Sequence, residues 1–495
     1  MTETIPHWLD KQAALSPNDI AIETPFDKQI TFLQLKNESR SFAKKLARLG
    51  VSKSDHVAIY ASNSIEMTIA IHALSYLGAV AVLLNTRLTK NEIAFQLTDA
   101  KAAFILTSSE LLSQGVIAAQ GSESKPDVFT FTDIDKEKEE EVSLKDELFL
   151  DDLFTIIYTS GTTGLPKGVK HTYGNHWWSA ISSALNLGLD GNDKWLASLP
   201  LFHVGGLSLL MKSVIYGMPI YLLKKFEVET VHDGIMNKGI TIVSVVTIML
   251  QRLMDKLGDQ TYPPSFRCML LGGGPAPKPL LETAKSHSIP VFQTYGMTET
   301  SSQIVTLSPK YALEKLGSAG QALFPAQLKI VTKGTTAASF EVGEICVKGP
   351  MVTSGYYCNE EANDKTFTDG WLATGDLGYI DKEGFLYVMD RRKDLIISGG
   401  ENIYPAEVES ALSGMPGIKE VGVIGKEDNH WGHVPVAFVV ADHQNLTAEA
   451  IVEYAKLQLA KYKVPKQIHF VDELPRNASN KLVRYKLSAL LDNNY

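Results

Sequence analysis

The chain has 495 residues, 44% hydrophobic and 21% charged, ordinary values for a globular protein and far from those of disordered or collagen-like chains. At roughly 150 residues per domain it holds about three domains' worth of material. Its 56 acidic residues outnumber 47 basic ones, so no global positive field exists to hold nucleic acid or an anionic membrane surface, and both are disfavoured as partners.

The N-terminal stretch MTETIPHWLDKQ has no basic region followed by an apolar core, which predicts no secretory signal and a cytoplasmic location. From Phe32 to Leu49 apolar residues recur at helical spacing, and His56 to Tyr60 reads as a strand. The longest apolar stretch, Ile69 to Leu84, is interrupted by His72, Ser75 and Gly78. It is too short for a membrane span and reads as a helix, a glycine break and a buried strand from Ala79 to Leu84. More strands are expected at Ala103 to Leu106, Ile220 to Leu223, Thr241 to Val246 and Cys268 to Leu271, with helices between them. That alternation predicts an α/β fold of parallel sheets covered by helices. The charge-dense stretch Asp133 to Glu147 reads as a solvated linker between an N-terminal lobe and the lobe that follows. After about residue 318, short strands (Gln327 to Val331, Gly343 to Val347, Gly370 to Ile380, Phe385 to Val388) predict a small antiparallel β unit. A compact α+β unit begins near Asp390, with helices at Pro405 to Leu412 and Ala448 to Leu459 and strands at Val421 to Ile424 and Val436 to Val440. Cys268, Cys346 and Cys358 are odd in number and lack a Cys-x-x-Cys pattern, as reduced structural thiols do. Self-association into a homo-oligomer stays open.

Residues Thr159 to Gly168 read TSGTTGLPKG after the apolar run Leu153 to Tyr158, a strand followed by a loop suited to anions. Gly161, Gly164 and Gly168 let the backbone approach closely, Thr159, Ser160, Thr162 and Thr163 supply hydroxyl donors, and Lys167 adds positive charge. It is not a Walker A loop, which has four residues between its first glycine and a Gly-Lys-Ser/Thr end, so a P-loop kinase or GTPase is disfavoured. A plain surface turn would account for two or three of these residues, not for ten in a row.

Further motifs follow in order: Gly272 to Pro277 (GGGPAP), Tyr295 to Thr300 (YGMTET), Thr374 to Asp376 (TGD), Asp390 to Asp394 (DRRKD), Gly399 to Glu409, and Pro475 to Arg484 (PRNASNKLVR). With the loop, and over nearly the whole chain, this series resembles the acyl-adenylate-forming superfamily of acyl-CoA synthetases, peptide-synthetase adenylation domains and beetle luciferases. The resemblance implies two helix-covered sheets plus the β unit over residues 1–390, which bind acid and ATP. A mobile C-terminal lid over 391–495 would turn about a hinge near 391–394, at Lys393. It further implies that a carboxylate is joined to the α-phosphate of ATP and the acyl-AMP is attacked by the thiol of CoA. By resemblance the 159–168 loop covers the β- and γ-phosphates, Thr298 contacts the α-phosphate and Glu299 holds Mg²⁺, roles that suit a hydroxyl donor and a hard-cation carboxylate. Adenine would lie against Gly272, Gly273 and Gly274 and Tyr295, and Asp376 would accept from both ribose hydroxyls, with Arg391 on the ribose side. Lys481 would bridge the carboxylate and α-phosphate as charge builds. The common family pattern has glycine where this chain has Asn480. After adenylation the lid would present Gly399 and Gly400 to the pantetheine thiol.

The acid pocket is expected beside the helix that follows PLFHVGG (200–206), with His203 as the gate near the reacting carboxyl. Lys212 lies on that apolar helix, where a buried cation would be costly unless a substrate anion answered it or the side chain snorkelled to solvent. Four strings, KHTYGNHWWSAISSALNLGL, LPLFHVGGLSLLMKSVIYGM, YGMTETSSQIVTLSP and LPRNASNKLVR, resemble the 2-succinylbenzoate-CoA ligases of menaquinone biosynthesis. This closer resemblance implies a substrate with two carboxylates, the ring carboxylate meeting Lys212, with Ser302, Gln303 and His176 as weaker contacts. Trp177 and Trp178 read as core packing. Activation of another aryl or medium-chain acid, loading of a carrier protein, and a nucleotide sensor without turnover remain alternatives.

Overall fold

The protein is described by a computed structural model over residues 3–159, 165–273, 278–390, 395–441, 446–475, 482 and 484–492. It divides into two compact units: Met1–Thr86, Gln96–Tyr158 and Gly168–Met389 form one, and Arg87–Phe95, Thr159–Lys167 and Asp390–Tyr495 form the other.

The first unit opens with elements whose ends are written in the sequence. Thr31 starts the Phe32–Arg48 helix by a capping box with Gln34, Ser64 caps Ile65–Leu77, and Gly78 ends that helix before the buried strand Val80–Leu83. Six strands form a sheet in the order Lys167–Thr172, Leu153–Thr159, Val80–Leu83, His56–Tyr60, Phe104–Thr107, Asp127–Thr130. Two expectations need correction here. The charged stretch from Asp133 is only partly a linker: Thr130 caps a Phe131–Lys136 helix that buries Phe131 and Ile134, and Glu147–Phe149 pairs with Thr4–Pro6. Its acidic residues Asp135, Glu139 and Glu140 face Lys45, Lys44 and Arg48. Nor does it separate two lobes, because Leu153–Thr159 hydrogen-bonds directly to Val80–Leu83. Charge density masked a capping signal and two apolar anchors.

A second, 15-stranded sheet carries the site. Its parallel run is Ile20–Glu23, Ile220–Leu222, Trp195–Ala197, Ile242–Val246, Cys268–Gly272 and Val291–Met297. Helices Val228–Asn237 and Thr247–Leu257 cover it through Ile235, Leu250, Leu253 and Met254. From Val291–Met297 the chain turns back into Ser302–Leu307, and the sheet continues antiparallel through Ser318–Ala322, Leu386–Asp390, Trp371–Ile380, Gly343–Lys348 and Gln327–Thr332. The strands expected after residue 318 are therefore present and antiparallel, but they extend this sheet instead of standing apart.

The second unit has a five-stranded sheet containing Ile418–Asp428 and Gly432–Ala441, packed by helices Pro405–Ser413 and Ala448–Gln458 around Val408, Leu412, Val423, Ile451 and Ala455. Gly399 and Gly400, with φ of 57° and 87°, make the two-residue turn between Ile396–Ser398 and Glu401–Ile403. Positive φ at both positions is what a tight hairpin asks of glycine. Lys463 is buried between Glu92 and Glu407, with its Nζ 2.7 Å from a carboxylate oxygen of each. Among the described residues no helix is long and apolar enough to cross a membrane.

Candidate active site

Parallel strands leave a crevice at their carboxyl ends, and the motif residues of the second sheet collect there. Cys268–Gly272 ends on Gly272, with Gly273 following at φ 88°. Val291–Met297 carries Tyr295, whose hydroxyl donates to Asp376 Oδ2 at 2.7 Å. Asp376 sits on Trp371–Ile380, its N–H donating to Thr374 Oγ1 at 3.1 Å, while Glu344 Oε1 accepts from Gly375 N at 3.0 Å. The YGMTET and TGD motifs, far apart in sequence, thus meet as a phenol bonded to a carboxylate. A buried, oriented carboxylate can accept two hydroxyls of a sugar.

Thr298 and Glu299 form a 3₁₀ turn directly after the Tyr295 strand. The chain can reverse because Gly296 has no side chain: a Cβ there would lie 2.0 Å from Ser302 O. Ser301 and Ser302 take φ of 54° and 110°, unusual for residues with a Cβ. Glu299 is buried, and its Oε1 accepts from the Tyr356 hydroxyl at 2.9 Å. Among the described residues no cluster of three or more His, Cys, Asp or Glu could hold a metal alone. That suits Mg²⁺, which takes one or two carboxylates together with substrate phosphates and water, so Glu299 fits the ion.

On the acid side, His203 N-caps the Val204–Tyr216 helix and its ring lies 4.8 Å from that of Phe202. Lys212, on the same helix, is 2% exposed, with its Nζ 5.0 Å from the centre of the Trp195 ring. No hydrogen bond or ion pair joins Lys212 to another described residue, so the snorkelling alternative gives way to a buried cation. Burial lowers its pKa from 10.5 to about 8, and also raises that of neighbouring Cys268 to about 12. Gln303 is buried with neither amide atom partnered among the described residues, an arrangement costing about 1–3 kcal/mol that a polar ligand would relieve. Ser302 precedes it, half-buried. Trp177 and Trp178 pack on hydrophobic cores, as the sequence suggested.

Sequence reasoning named His176 as a weaker substrate contact but missed His171 and Thr155 behind the turn. His171 Nε2 donates to Thr298 O at 2.7 Å, and Thr155 Oγ1 lies 3.0 Å from His176 Nε2. Tyr356, which holds Glu299, was also unforeseen. The spacing of His171, Asn175 and Ser179, each four apart, was the available signal.

In the second unit, Thr159 and Lys167 flank the anion loop, and Arg484 closes on Glu409 with Nη2 to Oε2 at 2.6 Å. Two late motifs are thereby tied together, three residues from Lys481. Ser160, Gly161, Thr162, Thr163, Gly164, Gly274, Arg391, Lys393 and Lys481 lie outside the described residues.

Buried histidines make the first unit acid-sensitive. Burial lowers His72 and His171 from 6.5 to about 4. The unfolded chain therefore binds these protons first, and stability present above about pH 6.5 is lost as pH falls toward 4, by about 3 kcal/mol per histidine. Urea unfolding at pH 7.5 and pH 5 should show the loss, and His72→Leu should remove its own share of the difference. Equal slopes for variant and wild type would refute the assignment.

A family model for AMP-binding enzymes matches residues 9–357, and one for the AMP-binding enzyme C-terminal domain matches 407–481. A 2-succinylbenzoate–CoA ligase of Oceanobacillus iheyensis is 57% identical over 98% of this chain and 100% of its own length. The o-succinylbenzoate CoA synthetase of Bacillus subtilis, as a double mutant bound to its product analogue OSB-NCoA, is 49% identical with a TM-score of 0.94, covering 98% of this chain and 99% of that one. The Bacillus subtilis enzyme in complex with ATP and magnesium ion is also 49% identical, with a TM-score of 0.77 over 98% of this chain and 100% of that one. The chain belongs to the AMP-binding enzymes, in the family of the 2-succinylbenzoate–CoA ligases.

Proposed function

We propose that the site activates the succinyl carboxylate of 2-succinylbenzoate and that Lys212 receives its ring carboxylate. The enzyme is an ATP- and Mg²⁺-dependent acid–thiol ligase that joins 2-succinylbenzoate to CoA through an acyl-AMP, a step of menaquinone biosynthesis. Lys212 carries the substrate assignment, because a fully buried ammonium without a counter-charge among the described residues calls for an anion. Gln303 and Ser302 stand as further polar contacts, and His203 as the gate near the reacting carboxyl.

Asp376, aligned by Tyr295, takes the ribose hydroxyls, with adenine over Gly272 and Gly273. Thr298 contacts the α-phosphate, and Glu299 holds the ion. When bound, Mg²⁺ neutralises phosphate charge and makes pyrophosphate a better leaving group. The residues Thr159 to Gly168 cover the outer phosphates. Lys481 steadies the charge that grows between carboxylate and α-phosphate, and a lid of residues 391–495, hinged at Lys393, brings Gly399 and Gly400 to the incoming thiol. The three free cysteines accord with a reducing, cytoplasmic setting.

Pyrophosphate release with Mg-ATP and CoA should be confined to 2-succinylbenzoate when it is compared with benzoate, a medium-chain fatty acid and an amino acid. Release with another member of this panel, and none with 2-succinylbenzoate, would overturn the substrate assignment.

A further inference from the structure

The turn that carries Thr298 and Glu299 is gripped by its own carbonyl oxygens. His171 Nε2 donates to Thr298 O at 2.7 Å, Thr353 N to Glu299 O at 2.8 Å, and Ser179 Oγ to Ser301 O at 2.6 Å. Asn175 Nδ2 donates to Pro350 O at 3.0 Å and to Val352 O at 3.1 Å, holding the strap from which Thr353 reaches Glu299. His171, Asn175 and Ser179 lie four residues apart. Asn175 and Ser179 share one face of the Tyr173–Leu187 helix, and His171 extends their line from the preceding strand.

A carbonyl oxygen only accepts, so His171 must carry its proton on Nε2. Complete burial keeps the ring neutral, with its pKa near 4. Such a ring can hold Thr298 O without bringing positive charge behind the phosphate site. The grip matters because the turn includes two residues at positive φ, Ser301 and Ser302, a conformation of order 1–3 kcal/mol above the relaxed one.

We infer that His171, Asn175 and Ser179 are a positioning row that fixes the main chain of the Thr298–Ser302 turn for adenylation, with His171 setting where Thr298 stands. The inference rests on the assignment of Thr298 and Glu299 to the nucleotide phosphates and Mg²⁺. All three donate to main-chain carbonyls of the turn or its strap, so their effect runs through the turn.

The test compares His171→Leu, which fills the space without a donor, with His171→Gln, which restores an N–H toward the carbonyl. Acid-dependent ATP–pyrophosphate exchange should fall about tenfold or more in the Leu variant and return to within about threefold of wild type in the Gln variant. Thioester formation from supplied acyl-AMP should stay near wild type in both. Equal losses in the two half-reactions, or Leu and Gln variants that lose exchange alike, would reduce His171 to a core residue and overturn the inference. Should His171→Leu fail to fold, Ser179→Ala removes only a hydroxyl and must show the same selective loss of exchange, about threefold; its absence also overturns the row. Calorimetric titration with Mg-ATP alone separates this outcome from failure of the substrate assignment. If wild type exchanges nothing with 2-succinylbenzoate, the row still stands provided that the Leu variant binds Mg-ATP several-fold more weakly than the Gln variant, and falls if they bind equally.

Discussion

Lys212→Met is expected to lower kcat/KM for 2-succinylbenzoate about a hundredfold, roughly 3 kcal/mol, while leaving a monocarboxylate analogue within about threefold of wild type. The same substitution should make the protein more stable. Folding moves the ammonium from water into a site where burial holds its pKa near 8 against 10.5 outside. At pH 7 that difference opposes folding by roughly 3 kcal/mol, and wild-type stability therefore rises as pH climbs from about 8 toward 10.5. Methionine has similar bulk and no charge, so the penalty disappears. Catalysis should run the other way with pH. The charged form that greets a second carboxylate is present below about pH 8 in the free enzyme and is lost above it, giving kcat/KM for the dicarboxylate an alkaline limb that the Met variant lacks. Steady-state kinetics with both acids between pH 6.5 and 9.5, alongside urea unfolding, check both signs. A variant that loses activity on both acids alike, or loses stability, would show Lys212 to be a structural cation.

Lys481→Ala is expected to reduce acyl-AMP formation by about two to three orders of magnitude, with far less effect on thioester formation from supplied acyl-AMP. Charge develops between the carboxylate and the α-phosphate only in the first half-reaction, so a lysine that bridges them is needed only there. Nearby Arg484, bonded to Glu409 at 2.6 Å, gives the end of this segment a fixed anchor. Single-turnover assays of each half-reaction decide the matter, and equal losses in both would remove Lys481 from the adenylation step.

The parts of the site that were legible in the sequence are those whose chemistry is carried by contiguous residues. YGMTET and TGD were read as parts of one site, and the structure joins Tyr295 to Asp376; LSLLMKSVIYGM offered Lys212, which the structure buries. Helix ends were legible through caps, as at Thr31 and Ser64. What escaped depends on long-range pairing. His171 meets a carbonyl 127 positions away and Tyr356 a carboxylate 57 positions away, and a backbone acceptor leaves no trace in side-chain identity. The charged stretch after Asp133 misled for a different reason: two buried apolar residues and one capping threonine outweigh many solvated charges in deciding local structure.

The strand bearing Trp195, beneath Lys212, and the strand bearing Asp376 belong to one unbroken sheet. Interiors of this kind are close-packed and resist compression. On the proposed roles of Asp376 and Lys212 the sheet would work as a ruler: the ribose would be held at one mark, the second carboxylate at another, and the activated carboxyl would fall at a set point between them. Selection among dicarboxylates then follows the distance from one acid group to the other, and greasiness counts for less. An acid with the right ring and a chain one methylene too short or too long would reach only one end of the scale.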